Sequence, residues 1–232
     1  MDFWHESGDT SQELSARAGH PPAMDDIRIQ TIQPRHAAAL EQLQRDCFPT
    51  LAAGELMNAQ HFLNHCRLFP EGNFVALADE RVVGLGSGFL IDFDLDDAQH
   101  SYQEIIDGGW YSQHDPAGDW YYGSDISVHP EYRRRGIGSR LYAARKGIVQ
   151  RLNRRGIVAG GLIPGFADYK HAMTPQNYVD KVVQGQLRDN TLSFQLGRGF
   201  EVRGLLRDYI EDAASDNWAT LIVWQNPEYR AG

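Results

Sequence analysis

The sequence predicts a mixed α/β fold, and three patterns predict it. Short apolar runs bounded by turn residues read as strands: Ile27 to Thr31, Phe74 to Leu77, Trp120 to Val128, Ile157 to Ile163 and Trp218 to Trp224. One long stretch has helical periodicity, with Ile137, Leu141, Ala144, Ile148 and Leu152 falling on a single face. The two kinds of segment then interleave along the chain, where an all-α or all-β protein would repeat one of them.

Taken in order, Ile27, Ile29 and Thr31 alternate as a first strand. Two helices follow, His36 to Cys47 after Pro34, and Glu55 to Leu68. Phe74 to Leu77 and Arg81 to Phe93 form a strand pair turning at Asp79-Glu80. Gly84, Gly86 and Gly88 in its second member mark a bend or bulge, or the close approach of a ligand. Residues 92–118 read as an insertion holding a short helix, Ser101 to Ile106, and the acidic run Asp92, Asp94, Asp96, Asp97. The strand Trp120 to Val128 is broken by Pro130, and a long amphipathic helix opens near Gly138 and ends at Gly156, its basic residues largely off the apolar face. After the strand Ile157 to Ile163 come a second insertion, near 165–188, a short helix Asn190 to Arg198, and two closing strands, Phe200 to Tyr209 and Trp218 to Trp224. Residues 1–24 are polar and aperiodic and read as a tail, leaving 25–228 as a single domain.

Composition narrows the function. With 42% apolar and 23% charged residues, the chain can bury a core. It has no apolar run of about 18 residues and no apolar signal segment, so we expect a cytoplasmic protein that neither spans nor binds a membrane. Two cysteines, Cys47 and Cys66, suggest reduced thiols and no metal site. The net charge of −9 is unevenly spread. Residues 133–155 carry nine Lys and Arg and no acid, against 13 basic and 31 acidic residues elsewhere. One basic segment in an acidic chain fits a compact anionic ligand better than nucleic acid.

That segment holds the informative motif, Val128-His-Pro130-Glu-Tyr-Arg133-Arg134-Arg135-Gly136-Ile137-Gly138-Ser139-Arg140-Leu141. It follows a strand and opens a helix. Amides at a helix N-terminus lack intrahelical acceptors and point outward, the helix dipole adds partial positive charge, and two glycines let a ligand approach the backbone. This is an anion site of the size of a diphosphate. It is neither a Walker A loop, which needs Gly-Lys-Ser/Thr, nor the dinucleotide fingerprint, which needs a third glycine.

Val128-x-Pro130-x-x-Arg133-x-x-Gly136-x-Gly138 resembles the acetyl-CoA-binding motif of GNAT N-acetyltransferases. The Asn190-Thr-Leu-Ser-Phe194-Gln-Leu-Gly-Arg-Gly199-Phe200 stretch resembles that family's Asn-led helix ending in Gly-Phe. A narrower resemblance, in Gly160-Gly161-Leu-Ile-Pro164-Gly165 and Leu192 to Leu196, is to GNAT domains fused to nitrilase-type hydrolases, of which this would be a free-standing relative. The resemblance implies a mostly antiparallel sheet splayed in the middle and flanked by helices on both faces. It implies acetyl-CoA as co-substrate and no metal. Arg133, Arg134, Arg135, Gly136, Ile137, Gly138, Ser139 and Arg140 would bind the diphosphate through their amides and charges, Ser127 and Val128 the pantetheine arm, and Asn190 the cofactor from the opposite side. The acceptor would be a small-molecule or peptide amine, with a homodimer as a candidate assembly.

Amine attack on a thioester needs a base. The candidate is Asp125, on the strand leading into Val128, where it and Ser127 would face away from Ile126 and Val128. The competing reading makes Asp125 a structural cap or ion-pair member. Many relatives carry a Tyr general acid where this chain has Gln195, so either another group serves, with Tyr169 and Tyr178 as candidates, or the thiolate leaves unassisted. The same departure motivates a second reading, a non-catalytic acyl-CoA-binding module. His61 and His65 read as surface histidines, and Trp110, Tyr111, Trp120, Tyr121 and Tyr122 as core packing or as an aromatic wall for the acceptor.

Overall fold

In a computed structural model, residues 27–231 are described; the expected tail, residues 1–24, lies outside them. A seven-stranded sheet has the order β1-β2-β3-β4-β5-β7-β6. Its strands are β1 (Ile27–Thr31), β2 (Phe74–Ala78), β3 (Arg81–Ile91), β4 (Trp120–Val128), β5 (Gly156–Leu162), β6 (Glu201–Leu206) and β7 (Ala219–Gln225). Every neighbouring pair is antiparallel except β4–β5. The helices are α1 (Ala37–Cys47), α2 (Ala59–Leu68), α3 (Tyr102–Ile106), α4 (Ile137–Arg151), α5 (Pro175–Val183) and α6 (Leu192–Leu196).

Two apolar layers sandwich the sheet. Leu40, Leu43 and Phe62 of α1 and α2 pack with Leu85, Phe89 and Tyr122 on one face. Ile137, Leu141 and Ile148 of α4 pack with Val83, Tyr121 and Ile157 on the other. Tyr121 and Tyr122 thus serve opposite cores, as strand alternation requires.

Several boundaries differ from the sequence reading. The helix expected from Glu55 starts at Ala59, because the Asn58 side chain accepts from the amides of Gln60 and His61, while Glu55 ends a separate 3-10 turn. Helix α4 stops at Arg151, well before Gly156, which instead begins β5. A Cβ at Gly156 would lie 2.1 Å from the Trp224 carbonyl oxygen, so this glycine serves strand packing and not helix termination.

The strand pairing that matters for function is incomplete. β4 and β5 pair only at Trp120–Gly156, Tyr121–Ile157 and Tyr122–Val158. Beyond these, β4 runs on to Val128 and β5 to Leu162 without pairing, and the sheet opens into a V. Opposite this gap β3 and β4 shift register between Ser87 and Gly88, which bends β4 and bulges Ser124 out of the ladder.

Candidate active site

The V holds a cleft of about 120 Å³ lined by β4 (Ser124, Asp125, Ile126), β5 (Gly160, Leu162), α6 with its lead-in (Thr191, Gln195) and residues flanking the α1 side. Asp125 and Ser127 are buried and lie on the opposite face from Ile126 and Val128, which pack against the α4 layer. Gln44 of α1 donates to Asp125 Oδ2 at 2.5 Å. Among the described residues, Asp125 Oδ1, Ser127 Oγ and Gln195 Oε1 are buried with no hydrogen-bond partner. Of these, Asp125 and Gln195 line the cleft, while the Ser127 hydroxyl lies close enough to bear on the Asp125 carboxyl; unpaired acceptors in a cleft wall are costly unless a ligand or water supplies donors.

Burial pushes the Asp125 carboxyl up to about 6, against the opposing pull of the Gln44 hydrogen bond and the charge of Arg145. Arg145 is the exception to the expectation that the basic residues of α4 lie largely off its apolar face: it is 1% exposed. Its guanidinium fits because glycines leave room. A Cβ at Gly86 would stand 3.4 Å from Arg145 Nε, and one at Gly123 would stand 3.1 Å from Nη1. Arg145 Nη2 donates to the Ser87 carbonyl at 2.5 Å, and the group lies over the Tyr121 and Tyr142 rings. Replacing Arg145 by Met removes the cation that favours ionised Asp125. The acid limb of a pH–rate profile is then expected to move upward from about 6; an unmoved limb in an active variant would uncouple the two.

The basic turn lies at the open end of the V. His129 accepts from the Glu131 amide and so caps the 3-10 turn Pro130–Tyr132. Arg133 Nε donates to the Val128 carbonyl at 3.1 Å, tying the turn to the end of β4. Arg134 (φ 62°) and Gly136 (φ 78°) are left-handed, and Gly136 caps α4. This backbone aims the first-turn amides of Ile137, Gly138 and Ser139 out of the helix end. Gly138 is overlain by Phe194, whose ring atoms would stand 3.2 and 3.3 Å from an added Cβ. Arg133, Arg134 and Arg140 are exposed and Arg135 is half-buried over the Tyr132 ring.

Asn190 does not cap the helix it precedes. It is exposed, in an open concavity that also includes Phe194 and thus on the side of Gly138. The cap is Asp189, fully buried: Oδ1 accepts from the amides of Thr191 and Leu192, each at 2.8 Å, and Oδ2 from the Gly165 amide and the Tyr178 hydroxyl at 2.9 and 3.0 Å. Tyr178, considered as a general acid, is therefore spent on holding α6 against the α5 insertion, and burial beside Asp189 pushes its hydroxyl far above its ordinary range. Tyr169 packs at a tilt against Tyr178 and is absent from the cleft lining. Asp189→Ala orphans four donors and is expected to cost about 3 kcal/mol of stability, read by chemical denaturation.

Gln195 lies in the cleft wall with its amide on the hydroxyl of Tyr142, a buried α4 residue. The histidines are not on the surface. His61 packs edge-on to Trp110 with centroids 4.7 Å apart, and His65 stacks on Tyr111 at 3.7 Å with Nε2 on the Gly109 carbonyl. Burial lowers His65 to about 4, so it is a neutral packing element. Of the aromatic cluster, Tyr111, Trp120, Tyr121 and Tyr122 are core and Trp110 is exposed. The acidic residues Asp92, Asp94, Asp96 and Asp97 are likewise exposed and line no part of the cleft. The aromatic and acidic groups that do line it, Phe48, Tyr102, Tyr209 and Glu55, carry no local sequence signal and are gathered only by the fold.

Comparison with known proteins places this geometry. Residues 37–158 match the family model described as the acetyltransferase (GNAT) family. "Probable hydrolase YhcX" of Bacillus subtilis (strain 168) is 40% identical over 202 residues, spanning 87% of this chain but 39% of that protein. The chain thus covers well under half of that relative. "Uncharacterized N-acetyltransferase YkwB" of the same organism is 34% identical over 194 residues, 82% of this chain and 85% of that protein. Among solved structures, the "GphF GNAT-like decarboxylase in complex with isobutyryl-CoA" superposes with a TM-score of 0.72 over 86% of this chain and 99% of that one, at 21% identity, a likeness of fold alone.

Proposed function

Since this chain belongs to the acetyltransferase (GNAT) family, we propose that it transfers the acetyl group of acetyl-CoA to a primary amine by direct attack, with Asp125 as general base. The observation that carries the reading is the joining of two features by one strand: β4 delivers a buried carboxylate raised to about 6 into the splay, and eight residues after its end at Val128 the chain reaches a left-handed Gly136 that bares a helix N-terminus.

The residues present fit acetyl-CoA. The amides from Arg134 to Ser139, with Arg133 and Arg140 nearby, would hold its diphosphate. The unpaired edge of β4 at Ser127 and Val128 would take the pantetheine arm as an added strand, and Asn190 would reach it from the α6 side. Acetyl-CoA supplies an activated thioester. The chain's own residues align the amine, take its proton and exclude water. Asp125 receives the proton, and its burial keeps the basic form close to neutral pH without a fixed counter-charge in contact. The main-chain amide of Val128 is the proposed donor to the developing oxyanion. With Gln195 in the place of a proton donor, thiolate release relies on the acidity of the thiol itself.

Two other readings meet specific resistance. A non-catalytic acyl-CoA binder is favoured by Gln195, yet it leaves the raised carboxyl of Asp125 without a task. Decarboxylation of a carboxyacyl-CoA would bring an anion into a cleft whose charged lining residues are Asp125 and Glu55, both acidic; like charges disfavour it. Calorimetry with acetyl-CoA, followed by free-thiol release against a panel of amines, tests the proposal. Heat without thiol release on any amine would leave the binder; no heat at all would refute both.

A further inference from the structure

Resting on amine acetylation as read above, we propose that the acceptor is a small primary amine with an apolar or aromatic carbon skeleton, and not the amine of a peptide, a protein or a polyamine. Three independent features of the acceptor side of the cleft converge on this.

The first is the roof. On the α1 side the cleft is flanked by the segment after α1, the start of α3 and the connection after β6. Leu51 and Asp212 form a β-bridge, and the Ala52 amide donates to the Glu211 carbonyl at 3.3 Å. The Glu211 amide donates to Glu55 Oε1 at 3.2 Å, Gln103 Nε2 donates to Glu55 Oε2 at 2.6 Å, and the Tyr102 amide donates to the Tyr209 carbonyl at 2.6 Å. A peptide acceptor must lead its second and third residues away from the reacting amine along an open channel. Here the segments that would border such a channel are hydrogen-bonded to each other across it.

The second is size. The cleft measures about 120 Å³, below the roughly 300–1,000 Å³ usual for sites that hold drug-sized ligands. It suits a short amine, not the several residues by which a peptide site reads its substrate.

The third is the chemistry of the walls. Phe48, Leu51, Tyr102 and Ile210 present apolar surface, and the charged lining residues are the two carboxylates, Asp125 and Glu55. One ammonium group is drawn to the carboxylates. The reacting amine takes Asp125, and the remaining cations of a polyamine outnumber Glu55, whose two oxygens already accept from the Glu211 amide and the Gln103 side chain; pressed against the hydrocarbon walls, a cation left over is costly.

The test uses the wild-type protein and free-thiol release at fixed acetyl-CoA. Acceptors are 2-phenylethylamine and isoamylamine on one side, and spermidine and a lysine-containing hexapeptide with a free N-terminus on the other. The expected result is a kcat/KM at least about tenfold higher for the first pair, the order that pocket fit supplies. Equal or faster turnover of the peptide or of spermidine overturns the proposal while amine acetylation stands. Turnover of none of the four, with acetyl-CoA binding seen by calorimetry, overturns amine acetylation and this proposal with it.

Discussion

Replacing Asp125 by Asn is expected to lower kcat by about 10²–10⁴-fold, the usual worth of a positioned base, with acetyl-CoA affinity by calorimetry essentially unchanged. The substitution keeps the shape of the side chain and its Gln44 neighbour but removes the proton acceptor. In the unaltered protein the rate should rise with pH through about 6, where Asp125 ionises, and this limb should vanish in the variant. Stability gives a second, opposite readout. The folded carboxyl titrates near 6 and the unfolded one near 3.8, so between these values the native state holds more protons. Asp125 therefore contributes stability that is full below the unfolded value and lost as pH rises through the folded value. Above that window the buried charge is a burden on the order of 1–3 kcal/mol, and Asp125→Asn should melt no lower, or higher, than the parent at pH 7. A structural cap or ion-pair member would show the reverse, with stability lost and the pH profile kept.

Gly136→Val is expected to show the complementary pattern, with acetyl-CoA affinity reduced by about 100-fold or more and the pH of the acid limb unmoved in whatever activity remains. Gly136 sits at φ 78° as the N-cap of α4. A β-branched residue is strained in this left-handed region by roughly 1–2 kcal/mol, and the chain relieves that strain by rotating the first-turn amides away from their common direction. Losing two or three aligned donors to a diphosphate, each about 1.5–3 kcal/mol for a charged partner, accounts for the drop. A calorimetric Kd within a few-fold of the parent would show that the diphosphate is held elsewhere. Together the two variants separate base from cradle, because each disturbs one readout and spares the other.

How far the sequence carried depended on the range of the forces involved. The order of the elements and the placement of Asp125 opposite Ile126 and Val128 follow from local periodicity and strand alternation, the V between β4 and β5 was implied by the family resemblance, and all are present. The turn at Gly136 was legible because only glycine takes that backbone conformation cheaply. Arg145, a charged side chain on a helix, gave no hint of burial, since the space it occupies is created by Gly86 and Gly123 on two other strands. His65 likewise reads as a surface residue until Tyr111 stacks on it from more than forty positions away. Asn190 led its helix in the sequence, but the cap is Asp189, selected by the Gly165 amide and the Tyr178 hydroxyl that reach it from elsewhere.

By itself, then, the sequence determined a mixed fold and the strand-turn-helix junction proposed as an anion cradle, because both are written in neighbouring residues through backbone conformation and side-chain period. Only the tertiary structure decided what lines the cleft: Phe48 and Glu55 near α1, Tyr102 at the start of α3, and Tyr209 and Ile210 after β6. Those residues lie far apart in the chain and are joined by packing and by hydrogen bonds across loops, interactions for which a linear pattern holds no record.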